Sequence, residues 1–187
     1  EIVRFDRILR PANLHRGQPG RGWNVFRNPA GGDVAVINLL GKIFMRESAN
    51  EPFEVVDDIL KRELPKTVKS IFVDFHAEAT SEKLAMGYFL DGRVTAVLGT
   101  HTHVPTADAL VLPGGTARQT DVGMAGAVTS VLGRSVEDVL FKFTTGMPNR
   151  LAVIEKGPIR LDGTVVTYDH ASGRASAIRP FSREITI

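Results

Sequence analysis

Residues 71–103 read IFVDFHAEATSEKLAMGYFLDGRVTAVLGTHTH, and this stretch decides the fold. Ile71, Phe72 and Val73 open an apolar run that ends in Asp74-Phe75-His76. Val94, Ala96, Val97 and Leu98 form a second, which runs into Gly99-Thr100-His101-Thr102-His103. Both have the length and apolar character of buried strands. Between them, Thr80 as N-cap, Glu82 in the first turn and Gly92 past the end predict a helix over 81–90, with Leu84, Ala85, Tyr88 and Phe89 on one face. A crossover of this length joins parallel strands of one sheet. Both carboxyl ends then lie at the same end of the sheet, where open α/β sheets place their ligands. His76 is therefore expected near His101 and His103.

The His-Thr-His triplet has a chemistry of its own. In an extended segment, residues i and i+2 project to one side, roughly 6.5 to 7 Å apart at Cα. Two imidazoles so placed can share one metal ion or reach two ions roughly 3.5 to 4 Å apart, the spacing of two-metal hydrolases. Neutral imidazoles without cysteine suit zinc, iron or a similar borderline ion. The alternative is structural, each histidine capping a strand and bonding a carbonyl. An HxH alone also occurs in amidohydrolases, PHP-type phosphoesterases and metallo-β-lactamases, although the last expect a following Asp-His where this chain has Val104-Pro105.

A single histidine at a strand end, followed by GTHTHVP at 99–105, resembles the later motifs of the calcineurin-like metallophosphoesterases. The fuller match is to their YmdB-like bacterial subfamily. RPAN (10–13), NLLGKIFM (38–45), VDFHAEATSEK (73–83), GTHTHVPTAD (99–108) and QTDVGM (119–124) resemble that subfamily's stretches, in its order. The resemblance covers nearly the whole chain and implies a four-layer α/β/β/α sandwich; the local patterns alone reach α/β or α+β. It also implies that residues 1–187 form a single domain corresponding to the C-terminal two-thirds of a family member. The N-terminal Asp, Glu-Asn and Gly-Asn-His motifs have no counterpart here, and the family's proton-donating histidine falls among them, so no catalytic acid is assigned.

What the resemblance implies functionally is a metal-dependent phosphodiesterase or phosphatase acting on cyclic nucleotides, especially 2′,3′-cyclic ones. A dinuclear centre of iron, manganese or zinc would activate water, with His76 and His101 on one ion and His103 on the other. Asp74 and Glu78 are the nearest candidates to orient the rings. Asn13 and Arg10, in the Arg-Pro-x-Asn loop, are either substrate-side groups or structural turn residues, and Asp121, beside small residues, is either a site-bordering group or a helix-cap or turn residue. With about half the expected metal shell present, a chain lacking the upstream motifs is expected to bind metal weakly and to show little activity. The rivals are a metal hydrolase of another class, such as an amidohydrolase, and a non-enzymatic interaction module.

Composition sets bounds. With 43% hydrophobic and 24% charged residues the chain is ordinary globular material, able at 187 residues to bury a sizeable core. No apolar run approaches the roughly 18 to 20 residues of a membrane span. The absence of cysteine excludes disulfides and thiolate sites and fits a cytoplasmic location. A net charge of +2 does not suggest a protein that coats nucleic acid; a small phosphoester partner, nucleotide or RNA-derived, is what the resemblance implies. Arg4, Arg7, Arg10, Arg16, Arg21 and Arg27 nevertheless concentrate positive charge near the start.

The remaining segments read as scaffold. Ile2, Val3 and Phe5 suggest a short edge strand or the tail of a truncated element, and 11–22 a loop. Trp23–Phe26 and Val34–Leu40 read as a hairpin about a Gly-Gly turn at 29–33. Ile43-Phe44-Met45 is apolar, either core or a partner surface for a homo-oligomer. Asn50 is expected to cap a helix with Pro52 in its first turn and Phe53, Val56, Ile59 and Leu60 facing the core. Ala107–Leu112 and Thr116–Thr120 suggest a second hairpin, and Val136–Phe143 a helix introduced by Ser135. Leu151–Glu155, Ile159–Tyr168 and Arg174–Phe181 suggest an antiparallel meander with turns at Gly157-Pro158, Asp162-Gly163 and Ser172-Gly173. His15 and His170 are expected to face solvent.

Overall fold

The computed structural model describes residues 4–27, 31–46 and 49–186. Trp23–Arg27 (β1) and Asp33–Leu40 (β2) form the expected antiparallel pair, followed by Ser70–His76 (β3) and Ala96–Thr100 (β4) parallel to β2. Leu110–Val111 (β5) pairs antiparallel with Ala117–Gln119 (β6), which runs parallel to β4, giving a six-stranded sheet of order β1-β2-β3-β4-β6-β5. Ala125–Ala127 (β7), Ile159–Tyr168 (β8) and Ala175–Ile185 (β9) make a second, antiparallel sheet.

Strand alternation assigns each face of β3 a partner layer. Ile71, Val73 and Phe75 are buried with Ala35, Ile37 and Leu39 of β2 against Val56 and Ile59 and against Met86 and Leu90. The latter four come from the helix Pro52–Asp58 (α1), the π-helical turn 59–63 that prolongs it, and the crossover helix Thr80–Phe89 (α2) with its C-cap. Each fully buried side chain of this size contributes roughly 1.5–3 kcal/mol. Phe72 faces the other way, meeting Tyr168 of β8 edge-on at 5.5 Å between ring centroids. Ala96, Leu98 and Ala117 share that interface with Val166, Ala175 and Ile178, so the two sheets stack face to face. A helical layer and two sheets follow one another in the expected order. Val136–Thr145 (α3) comes after β7, its N-cap Ser135 accepting from the Asp138 amide.

Several local expectations change. Asn50 and Thr80 are not side-chain caps; Glu51 and Ala79 occupy the N-cap positions, and Asn50 instead pairs through its backbone with Asn13. The predicted face of α2 is reversed: Ala85, Tyr88 and Phe89 are exposed, and Glu82, Lys83, Met86 and Gly87 are buried. On α3 only Val139 is buried, leaving Val136, Leu140 and Phe143 exposed. The second hairpin is shorter than expected. Leu151–Glu155 is not a strand, having one isolated bridge at Val153, and the third strand of the small sheet is β7. Asp162 and Gly163 lie inside β8, where Asp162 pairs with Arg160, while the turn at Ser172-Gly173 stands. His170, although exposed, bonds Ser70 Oγ at 2.8 Å. Ile43 and Phe44 are exposed. Residues 2 and 3 of the expected edge strand, and 29 and 30 of the Gly-Gly turn, lie outside the described residues.

Candidate functional site

Parallel register sets His76, the last residue of β3, opposite Thr100, the last of β4. His101 follows at once, and its Nδ1 lies 3.2 Å from His76 Nε2, the rings meeting edge-on with centroids 5.0 Å apart.

The surrounding hydrogen bonds assign both tautomers. Thr100 Oγ1 lies 3.0 Å from Asp74 Oδ1 and 3.0 Å from His76 Nδ1. A hydroxyl has one proton, and a carboxylate only accepts. Thr100 therefore donates to Asp74, and His76 Nδ1–H donates to Thr100. Asp74 is itself oriented by Asn38, whose amide nitrogen donates to Oδ2 at 2.7 Å. On the other ring, His101 Nε2–H donates to Glu78 Oε2 at 2.5 Å. The two nitrogens left facing each other, His76 Nε2 and His101 Nδ1, are then both unprotonated in the neutral rings. Burial holds the His76 pKa below its usual value, reinforced by neighbouring His101 and Lys83 against the opposing pull of Asp74 and Asp121.

Two lone pairs 3.2 Å apart repel unless a cation lies between them. With nitrogen–metal distances of about 2.0–2.1 Å, this pair would subtend roughly 100° at a shared ion, within the tetrahedral-to-octahedral range. His76 and His101 would hold a borderline divalent ion such as zinc or iron between them, as two of its ligands. Among the described residues, no three His, Asp or Glu side chains are arranged to hold an ion together.

His103 departs from the expected convergence. It is exposed and lines a separate cavity of about 80 Å³ with Met124, Ser130 and Arg160. The cause is the backbone: His101 has φ 137° and His103 φ 64°, so the triplet is not extended and the rule that i and i+2 share a side fails. Such conformations cost a non-glycine residue about 1–3 kcal/mol each and persist only where the surroundings impose them. Asp121, 1% exposed, bonds this loop: its Oδ2 accepts from the Thr102 amide at 2.8 Å and from Lys83 Nζ at 3.2 Å, and its Oδ1 from the Gly123 amide at 3.0 Å. Asp121 thus holds the loop rather than facing a ligand.

Asn13 is also removed from the substrate side. It is fully buried; its amide nitrogen donates to Leu40 O and Asn50 O, and its oxygen accepts from Leu40 N. Arg10 donates to the Pro11 carbonyl at 2.7 Å. The cavities of about 410 to 430 Å³ include neither His76 nor His101. One of them lies at the opposite end of the sheet, against Ile71 and Val94; of its cations, Lys61 and Arg93 already pair with Asp57, and Lys66 bonds carbonyls of the helical turn.

Sequence reasoning missed Asn38, Thr100 and Lys83. A polar residue inside the apolar run VAVINLL was a usable signal for Asn38. Lys83, Met86, Gly87 and Leu90 recur at helical spacing, which marked the buried stripe of α2. Nothing local distinguished Thr100.

Comparison with known proteins follows the same lines. The model of the family described as YmdB-like protein matches residues 1–181. The chain belongs to this family. It is 45% identical over 171 residues to a 2′,3′-cyclic-nucleotide 2′-phosphodiesterase of Bacillus subtilis (strain 168), covering 91% of this chain and 63% of the relative. A crystal structure of a hypothetical protein from Thermus thermophilus superposes with a TM-score of 0.88 at 40% identity, covering 98% of this chain and 69% of that one. That of a phosphatase from Mycoplasma pneumoniae gives 0.86 at 31%, covering 98% and 66%. The chain spans between 50% and 63% of the length of the curated relatives it matches. Among the described residues, no helix is long and apolar enough to cross a membrane.

Proposed function

We propose that this chain contributes His76, His101 and His103 to a metal-dependent phosphodiesterase that hydrolyses 2′,3′-cyclic nucleotides. The observation that carries the reading is the pair of facing ring nitrogens, His76 Nε2 and His101 Nδ1, 3.2 Å apart, with Thr100 and Glu78 bonded to the outer nitrogens. The substrate class is supported by the name of the Bacillus subtilis relative. Two bound ions of iron, manganese or zinc would supply polarisation of a phosphoryl oxygen and a water acidified towards neutrality.

The chain's own residues do the rest. His76 and His101 present lone pairs, and Thr100 with Asp74 keeps the His76 proton on Nδ1. Glu78 keeps the His101 proton on Nε2 and orients the ring. For His103, which lies apart in its own cavity, only the family resemblance supports a place on the second ion. The substrate is a small anionic phosphoester, and the cysteine-free sequence supports a cytoplasmic setting. An amidohydrolase reading has no observation of its own here.

Two measurements test this. Calorimetric titration of the chain with Mn²⁺ or Zn²⁺ should show binding that falls roughly tenfold or more in His76→Ala or His101→Ala. The native protein should hydrolyse adenosine 2′,3′-cyclic monophosphate with Mn²⁺ and lose that activity in the same variants. Unchanged metal affinity in both variants, or cleavage of amide substrates in preference to the cyclic nucleotide, would sink the reading.

A further inference from the structure

We infer that Lys83 is a positioning residue: through a buried ion pair with Asp121 it holds the His101–His103 loop in its left-handed backbone and so sets the histidines without touching them. Its functional meaning rests on the metal-centre reading above; the pair and the loop conformation stand independently of it.

Lys83 is 4% exposed and Asp121 1%, so both charges are out of water. A carboxylate at that depth is unfavourable unless a cation or several donors compensate it. Asp121 has both, and the donors are the loop itself. Thr102 N, between the two positive-φ histidines, donates to the same Oδ2 that Lys83 neutralises. The backbone of Asp121 grips the loop's far end: its carbonyl accepts from the Thr106 amide at 3.0 Å, and its amide donates to Thr106 Oγ1 at 2.9 Å. Asp121 therefore ties the loop at both Thr102 and Thr106.

Lys83 reaches this point from α2, on the helix side of the sheet, and Gly99 opens the way. A Cβ at Gly99 would lie 3.0 Å from Lys83 Cδ and 1.9 Å from the Thr120 carbonyl oxygen. The neighbouring Glu82, 5% exposed, anchors the same helix by accepting from the Lys42 amide at 2.9 Å. The buried polar face of α2 thus links residues 42, 102 and 121, in three stretches far apart in the chain. Without Lys83 the Asp121 charge would be left uncompensated, and the carboxylate would swing towards water, releasing Thr102 N–H and with it the strained histidines.

Amide hydrogen exchange on metal-free protein tests this. In Lys83→Met, exchange of the Thr102 amide should accelerate roughly tenfold, while the β4 amides of Val97 and Leu98 keep their protection. If Lys83→Met does not fold, the double variant Lys83→Met/Asp121→Asn removes both buried charges and should fold, again with Thr102 exchanging faster than in the parent. The idea is overturned if Thr102 protection is unchanged in whichever variant folds, if Thr102 and the β4 amides lose protection equally, or if neither variant folds, since the pair would then be a general fold determinant. Because no metal enters the measurement, failure of the metal-centre reading leaves the exchange result interpretable. Where that reading holds, Lys83→Met should also weaken Zn²⁺ binding severalfold.

Discussion

Asn38 and Asp74 stand opposite each other across β2 and β3, and the Asn38 amide fixes the Asp74 carboxylate at 2.7 Å. That contact leaves Oδ1 aimed at Thr100, which determines where the His76 proton resides. Replacing Asp74→Asn substitutes a group that can donate to Thr100, so the hydroxyl proton can turn towards His76 Nδ1. The His76 proton then moves to Nε2, and the lone pair facing His101 is lost. Zn²⁺ affinity should fall roughly 10–100-fold with the melting temperature little changed. Calorimetry measures the affinity, and nitrogen NMR of the imidazole reports the tautomer; wild-type values in both would show that the Asn38–Asp74–Thr100 chain does not govern His76.

Asn13 bonds backbone groups on two segments and has no surface to offer a substrate. Asn13→Ala leaves the Leu40 amide and two carbonyls without these partners, at a cost of roughly 1–3 kcal/mol for each group left unsatisfied. Urea denaturation should show a lower midpoint, corresponding to an unfolding free energy reduced by several kcal/mol, with the Michaelis constant of the surviving folded fraction unchanged. A raised Michaelis constant at unaltered stability would return Asn13 to the substrate side.

Asp108 accepts from Thr106 Oγ1 at 2.7 Å, from the Thr120 amide at 3.1 Å and from Arg118 at 2.9 Å. Partial burial alone would raise its pKa, but the Thr106 and Thr120 hydrogen bonds and the Arg118 charge outweigh it and leave the pKa below the ordinary 3.8. A group depressed on folding contributes stability above its unfolded pKa and loses it as pH falls through the folded value. Asp108→Asn should therefore be less stable than the parent at pH 7, by roughly 1–3 kcal/mol for bonds to a charged group. The gap should close in strongly acidic solution. Chemical denaturation at a series of pH values checks this, and a gap independent of pH would rule out the linkage.

The strands around the histidines were legible because their information is local. Two apolar runs separated by one helix length leave few arrangements, and β3, α2 and β4 formed as read. The face of α2 was misjudged because residue polarity was taken as exposure. Glu82 and Lys83 are buried since their partners, Lys42 N and Asp121, arrive from other parts of the chain. The His-Thr-His triplet was misread for a related reason: its backbone departs from the extended form at His101 and His103, and the Thr102 amide between them bonds Asp121, nineteen residues further on. Leu151–Glu155 has the alternation of a strand, but Arg134 alone bridges to it at Val153. In the site, His76 and His101 could be placed from spacing alone. The Asn38–Asp74–Thr100 relay behind them could not, because three separate strands contribute to it.

The passage of Lys83 beneath Gly99 has a consequence for anyone who would borrow this motif. Residues 99–103 are not portable: grafted onto the sheet of another protein without the lysine-bearing helix and its acidic counterpart, the pentapeptide would relax to an ordinary extended end. Its imidazoles would then drift out of register with any strand-end histidine beside them.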